Sequence, residues 1–177
     1  MARIAPIEPT DADPQAREEL DRQLAAHGRL TNMKRTLAHS GTALHALMTW
    51  YPLYDRVAGF LGERATTLFA HAISAGTDCL ICSTFFRRII IDWGDDPDAL
   101  ALDEREQLVV DYGVQLARDP GDVSDDLYRR LAAFLKPPEI VDLTAFGAMM
   151  IATNVVNNAL RVDLDEYLEP YRGQGAR

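Results

Sequence analysis

The stretch Phe146-Gly147-Ala148-Met149-Met150-Ile151-Ala152 is apolar on nearly every side of a helix. It lies in the middle of a long helix predicted over Glu139–Arg161, which Lys136-Pro137-Pro138 opens. A helix with no polar face has to be covered all round. This one belongs at the centre of a helical domain or at a subunit interface. The rest of the chain supplies helices to cover it and no convincing strand. Val109-Val110 and Ile89-Ile90-Ile91 are β-branched, but both sit inside segments with helical caps and helical length. The expected fold class is all-α.

Helix start and stop signals divide the remainder. Residues 1–12, with Pro6 and Pro9, read as extended. Asp13-Pro14 places a cap before a proline at the first helical position, and that helix runs to His27 and stops at Gly28. A short helix is expected over Asn32–His39. A longer segment runs from Thr42 to Leu61, kinked or split by Pro52 near Tyr51. Gly62 separates it from Glu63–Ala75, which Gly76 ends. Asp103 caps a helix to Arg118, and Ser124 caps another to Leu135. The tail from Gly173 is expected to fray. The chain reads as a single helical domain over 1–177, with a core over 63–161 and an N-terminal arm and helices over 1–61.

Cys79 and Cys82 are the two cysteines of the chain, at CxxC spacing. Two thiols so placed can close a disulfide, hold a metal or share one activated thiolate. Gly76-Thr77-Asp78 reads as a helix stop followed by a start, with Asp78 or Thr77 as cap and Cys79 in the first turn of a helix to Trp93. The positive end of that helix lowers a cysteine pKa. Structural zinc needs four Cys or His ligands, and no second CxxC or HxxxH pair exists, so neither a metal nor a cofactor is expected.

Net charge is −9, with hydrophobic residues at 47% and charged residues at 25%. No stretch gathers Lys and Arg without acids alongside, which argues against nucleic-acid binding. No segment reads as a signal peptide or a membrane span. A cytoplasmic location is expected, where a lone CxxC points to redox or metal chemistry rather than a staple.

The segment from Leu68 to Phe86, with its Gly76-Thr77-Asp78-Cys79-Leu80-Ile81-Cys82 centre, resembles the core of the AhpD-like family, the alkylhydroperoxidase and carboxymuconolactone decarboxylase superfamily. The flanks extend the resemblance over most of the chain. Leu37-Ala38-His39-Ser40-Gly41 is similar to the family's Leu-Ala-His-Ser-Pro segment. Glu139-Ile140-Val141-Asp142-Leu143, Asn154 to Asn158 and Val162-Asp163-Leu164-Asp165 are similar to its C-terminal helix. The resemblance implies an all-α bundle that forms a homo-oligomer, as dimer, trimer or hexamer. It also implies a small-molecule peroxide substrate, and reduction of the oxidised pair by a dithiol protein or small thiol. Cys82 then takes the peroxidatic role and Cys79 the resolving one, whereas local physics makes Cys79 the more acidic thiol.

The departures from the family pattern are specific. The family has a Glu twelve positions before the first cysteine and a His four after the second. Here those positions hold Thr67 and Phe86. Neither can move a proton near pH 7, a loss that costs roughly 10²–10⁴-fold in acid-base catalysis. His71 lies one helical turn after Thr67, on the same face. It is the candidate substitute base, against a plain core or interface histidine. Arg87 and Arg88 are not spaced to touch a sulfur and read as a solvated or interface pair, with a carboxylate substrate as another use. His27, His39 and His45 read as structural. Trp50, Tyr51, Tyr54 and Phe60 read as core or interface, with a pocket beside Phe85 and Phe86 as the alternative. Asn154, Asn157 and Asn158 read as hydrogen-bonding groups in the helical core or across a subunit boundary.

The first functional expectation is therefore a thiol-dependent peroxidase acting through Cys79 and Cys82, with His71 as base. The alternatives are a non-catalytic helical scaffold in which both cysteines are packing residues, and a decarboxylase-like enzyme of the same superfamily.

Overall fold

The computed structural model describes residues 1–173, so all but the first residue of the tail from Gly173 lies outside the described residues. Among the described residues, nine α-helices carry the fold: α1 Pro14–His27, α2 Asn32–Leu37, α3 Gly41–Met48, α4 Trp50–Leu61, α5 Glu63–Gly76, α6 Leu80–Asp92, α7 Glu104–Arg118, α8 Asp125–Ala132 and α9 Pro137–Leu160. There is no strand among the described residues.

The caps expected from sequence form as hydrogen bonds. The Asp13 carboxylate accepts from Ala16 N–H at 2.8 Å. Asp103 and Glu106 make a reciprocal capping box at the start of α7. Removing a cap of this kind costs about 1 kcal/mol.

The apolar helix α9 packs against α4, α5, α6, α7 and α8. Phe146 and Leu143 are fully buried on it, against Phe69 and Ile73 of α5. Gly147 lets α9 come this close. A Cβ there would lie 2.8 Å from Leu116 Cδ1 and 3.0 Å from Phe69 Cζ. A second cluster, built on Leu20, Leu37, Leu44 and Met48, joins α1, α2 and α3. Met33 and Trp50 pack against both clusters. The N-terminal arm is tied to the end of α9, where Arg3 N–H donates to the Leu160 carbonyl at 2.9 Å.

Several sequence expectations need correction. The break near Pro52 falls at Thr49, not Tyr51, because Pro52 occupies the first turn of α4, where its missing N–H has no partner to lose. Residues 1–12 are not wholly extended, since Pro9–Asp11 makes one 3-10 turn. The helix capped by Ser124 ends at Ala132. Pro137–Leu160 is, by length and composition alone, long and apolar enough to cross a membrane. It packs against five other helices, which bury 39% of its most apolar stretch.

Candidate functional site

α5 ends in a tight turn that delivers both cysteines. Thr77 N–H donates to the Ile73 carbonyl, Asp78 N–H to Ala75 and Cys79 N–H to Ser74, at 3.0–3.1 Å. Asp78 takes a left-handed conformation, φ 52°, a costly state for a residue other than glycine. Cys79 is consequently the N-cap of α6, not a first-turn residue, and neither Thr77 nor Asp78 serves as cap. Ser83 N–H closes the first turn onto the Cys79 carbonyl at 2.9 Å.

α9 clamps this turn with three asparagines on one face. Asn154 Nδ2 donates to Thr77 Oγ1 at 2.8 Å, and Asn158 Nδ2 to the Thr77 carbonyl at 2.8 Å. Between them, Asn157 Nδ2 donates to Cys82 Sγ at 3.4 Å and to Cys79 Sγ at 3.8 Å. Met33 Sδ lies 3.5 Å from the same nitrogen. Asn157 Oδ1 is buried without a partner. One amide thus carries a donor for a thiolate and a spare acceptor for a thiol.

Both cysteines are free and buried. The Cys79 thiol is lowered to about 7. A hydrogen bond from Cys82 contributes most, and the Cys82 amide, Asn157 and the Ile81 amide add to it against the effect of burial. Those two amides lie near the sulfur without closing a full cap hydrogen bond. Cys82 is raised, because it donates to Cys79 and is buried. The pair releases its first proton as a unit, with the charge resting mainly on Cys79.

Access favours the other sulfur. Cys82, not Cys79, lines an apolar cavity of about 60 Å³ walled by Trp50, Ile81, Phe85, Phe86 and Met150. Of the aromatic residues whose sequence reading left a pocket open, Trp50 and Tyr51 line this cavity, and Tyr54 and Phe60 do not. Phe86, at the family's His position, faces this cavity and is 2% exposed. Thr67, at the Glu position, is fully buried with its hydroxyl unpartnered.

His71 sits half-buried on α5 and makes no hydrogen bond to either sulfur among the described residues. Burial lowers its pKa, Arg87 lowers it further and Asp98 opposes them. Arg87 itself is paired with Asp98 at 2.5 Å, and Arg88 with Asp92 at 2.8 Å. The structure therefore brings Asn157 to the dithiol and leaves His71 beside the Arg87–Asp98 pair. Among the described residues, no group of three or more His, Cys, Asp or Glu is placed to hold a metal ion.

One group at this site carried no signal in sequence. Lys34 of α2 lines the Cys82 cavity and is 2% exposed, with no ion pair and no side-chain hydrogen bond among the described residues. Its ammonium lies 5.1 Å from the Tyr51 ring centre. Burial lowers its pKa to about 8, against the opposing fields of Glu19 and Asp165.

No family model matches the sequence, and no curated protein matches it. Solved structures do match the fold. An uncharacterized peroxidase-related protein with an alkylhydroperoxidase AhpD core, from Ralstonia eutropha JMP134, superposes with TM-score 0.78 at 16% identity, covering 94% of each chain. A peroxidase-related protein from Silicibacter sp. TM1040 gives TM-score 0.72 at 16% identity, over 95% of this chain and 96% of that one. The debrominase Bmp8, as a cysteine-to-alanine variant in complex with 2,3,4-tribromopyrrole, gives TM-score 0.75 at 15% identity, over 95% of this chain and 94% of that one.

Proposed function

We propose that this chain, which has the AhpD-like fold, is a thiol-dependent oxidoreductase that reduces a hydroperoxide through Cys79 and Cys82. One observation carries the reading. Two buried thiols share the Asn157 amide, one of them acidified, while the other faces an apolar cavity.

The chemistry divides between the two sulfurs. Cys79, as thiolate, takes the proton of Cys82 and so does the work of the missing histidine. The Cys82 thiolate then attacks the distal peroxide oxygen, and the O–O bond breaks. Cys82 becomes a sulfenic acid, and the alkoxide leaves as an alcohol with the proton returned from Cys79. The regenerated Cys79 thiolate attacks the sulfenic sulfur, forming the disulfide and expelling hydroxide, which solvent protonates to water. An external dithiol supplies the two electrons that restore the pair.

A second reading keeps the dithiol and changes the electrophile. A debrominase shares this fold, and the Cys82 cavity has aromatic walls. Attack on a halogen would give a sulfenyl halide and a carbanion that takes a proton. Closure of the disulfide by Cys79 would then release halide and a proton.

The deciding experiment mixes reduced protein with cumene hydroperoxide and counts thiols lost against cumyl alcohol formed. Two thiols per alcohol are expected in the wild type, and a trappable sulfenic acid on Cys82 in Cys79→Ser. Thiols that survive in the wild type as long as they do under buffer alone would remove the peroxidase reading. A halogenated aromatic that consumes them instead would establish the second. Inertness to both would leave the scaffold.

A further inference from the structure

The cavity at Cys82 adjoins a second one of about 360 Å³, and the two share Lys34, Tyr51, Phe85 and Tyr167 as walls. The inner space has room for little more than a reacting group. A substrate that reaches Cys82 past these shared walls has its body in the outer one. That outer cavity is unusual for a chain of net charge −9. Arg29, Lys34 and Arg88 line it together with His27, and no Asp or Glu does. Arg29 lies over the Tyr167 ring at 4.0 Å and Arg88 over Phe85 at 5.6 Å. Both guanidinium groups therefore lie against aromatic walls of the cavity.

Lys34 is the second, independent observation. The residue is 2% exposed and its ammonium has no counterion within ion-pair distance among the described residues. Buried charges are normally paired. Arg88 Nε is likewise buried without a partner. The acid on the inner wall, Asp165, holds the Asn32 amide at 2.8 Å and already has Arg29, Arg35 and Lys34 in its field. Asp92, which pairs with Arg88, is the other acid in contact with this group of cations.

We propose that the outer cavity takes the anionic group of a substrate with an aromatic or branched-alkyl body, held by Lys34, Arg29 and Arg88, so that its reactive end meets Cys82. This names the substrate class of the dithiol site and rests on the reading of Cys82 as the attacking thiol. The anion is one that a forked guanidinium and an ammonium bind together, such as a carboxylate or a phenolate.

The test uses two pairs of probes on the reduced full-length protein. Binding of 4-isopropylbenzoate and of neutral 4-isopropylbenzamide is followed by calorimetry. Thiol oxidation is followed with cumene hydroperoxide and with its para-carboxylate. The benzoate is expected to bind at least ~10-fold tighter than the amide, as one desolvated charge pair supplies. That ratio should fall below ~3 in Lys34→Met and drop partway in Arg29→Gln, whose exposed position leaves the fold intact. Equal binding of acid and amide, or a ratio untouched by both variants, would overturn the anion site, and with it any advantage of the carboxylated hydroperoxide. Preferential benzoate binding with thiols inert to both hydroperoxides would keep the anion site and remove the peroxidase reading instead.

Discussion

Replacing Lys34 by methionine should stabilise the protein at neutral pH. The side chain is 2% exposed and unpaired, and burial moves its pKa from an ordinary 10.5 to about 8. A base lowered in the folded state loses stability as pH falls, because the unfolded chain binds its proton first. The penalty is absent above pH 10.5 and complete below pH 8. At about 1.4 kcal/mol per pH unit it reaches roughly 3 kcal/mol at pH 7 and still about 1 kcal/mol at pH 9.5. Against this, methionine forfeits the contact with Tyr51, worth about 0.5–1 kcal/mol, and the support Lys34 gives Asp165. The net gain is about 2 kcal/mol at pH 7, shrinking towards zero as the pH rises past 10. Urea unfolding at fixed protein concentration, at pH 7 and pH 9.5, reads it directly as the difference between variant and wild-type midpoints. A variant less stable than wild type at pH 7, or a difference equal at the two pH values, would refute the claim that Lys34 is a buried, uncompensated cation.

Three further outcomes follow from the same geometry. Thiol alkylation of the reduced protein should rise through a midpoint near pH 7. Asn157→Leu should move that midpoint up, because it removes a hydrogen bond to the thiolate, and His71→Ala should move it less. The reverse order would restore His71 as the base. Gly147→Ala should destabilise by about 1–3 kcal/mol in thermal or urea unfolding, the cost of forcing a methyl into a packed core, since Leu116 Cδ1 would be 2.8 Å away. Val141 and Val155 on α9, 66% and 58% exposed, should be covered by self-association, so sedimentation equilibrium should give more than the 19.7 kDa of one chain.

The fold was legible because its signals are local. Caps at Asp13, Asp103 and Ser124 and stops at Gly28 and Gly62 mark helix ends whatever surrounds them. An apolar stretch such as 146–152 states its own need for cover. Boundaries failed where a local rule had two solutions. Pro52 tolerates a place inside the first turn of a helix as readily as it breaks one, so the split slipped to Thr49. The Gly76-Thr77-Asp78 run announces a stop and a start but does not say which residue caps. The answer was Cys79, which changes the electrostatics of both thiols. The site was legible as the CxxC pair, with Asn157 as a core hydrogen-bonding group and a pocket beside Phe85 and Phe86 as an alternative, but not as an assembly. Asn157 lies 75 residues beyond Cys82, and Lys34 sits in a short polar-looking helix with nothing in its neighbourhood to mark it as buried. Both enter the site through helix packing, and no spacing rule reaches across such a distance. His71 illustrates the converse. One turn from Thr67 it shares a helical face in sequence, yet the electrostatic partners that face finds are Arg87 and Asp98.

The pattern of broken rules favours the proposed dithiol chemistry over the scaffold reading. Folded chains rarely bury a polar atom without a partner, and each such atom costs on the order of 1–3 kcal/mol. Among the described residues, seven side-chain atoms are buried and unpartnered: Gln23 Oε1, Thr36 Oγ1, Thr67 Oγ1, Arg88 Nε, Asn154 Oδ1, Asn157 Oδ1 and Asp165 Oδ2. Those of Arg88, Asn157 and Asp165 gather with Lys34 at the thiols and their cavities. Asn157 touches both sulfurs, Asp165 and Lys34 line the cavity that ends at Cys82, and Arg88 lines its outer extension. If Cys79 and Cys82 were packing residues only, apolar side chains at 34 and 157 would fill the same space at lower cost, whereas Asp165 has a structural use of its own in accepting from the Asn32 amide. Such a gathering at the dithiol is in line with the proposed function, since chemistry is commonly kept at the expense of local stability. Under the proposed function, this arrangement takes the place of the family's Glu and His. An amide donor of α9 and an acidified neighbouring thiol adjoin Cys82, so the groups that act on its sulfur come from α9 and the CxxC turn rather than from the helix that precedes the cysteines.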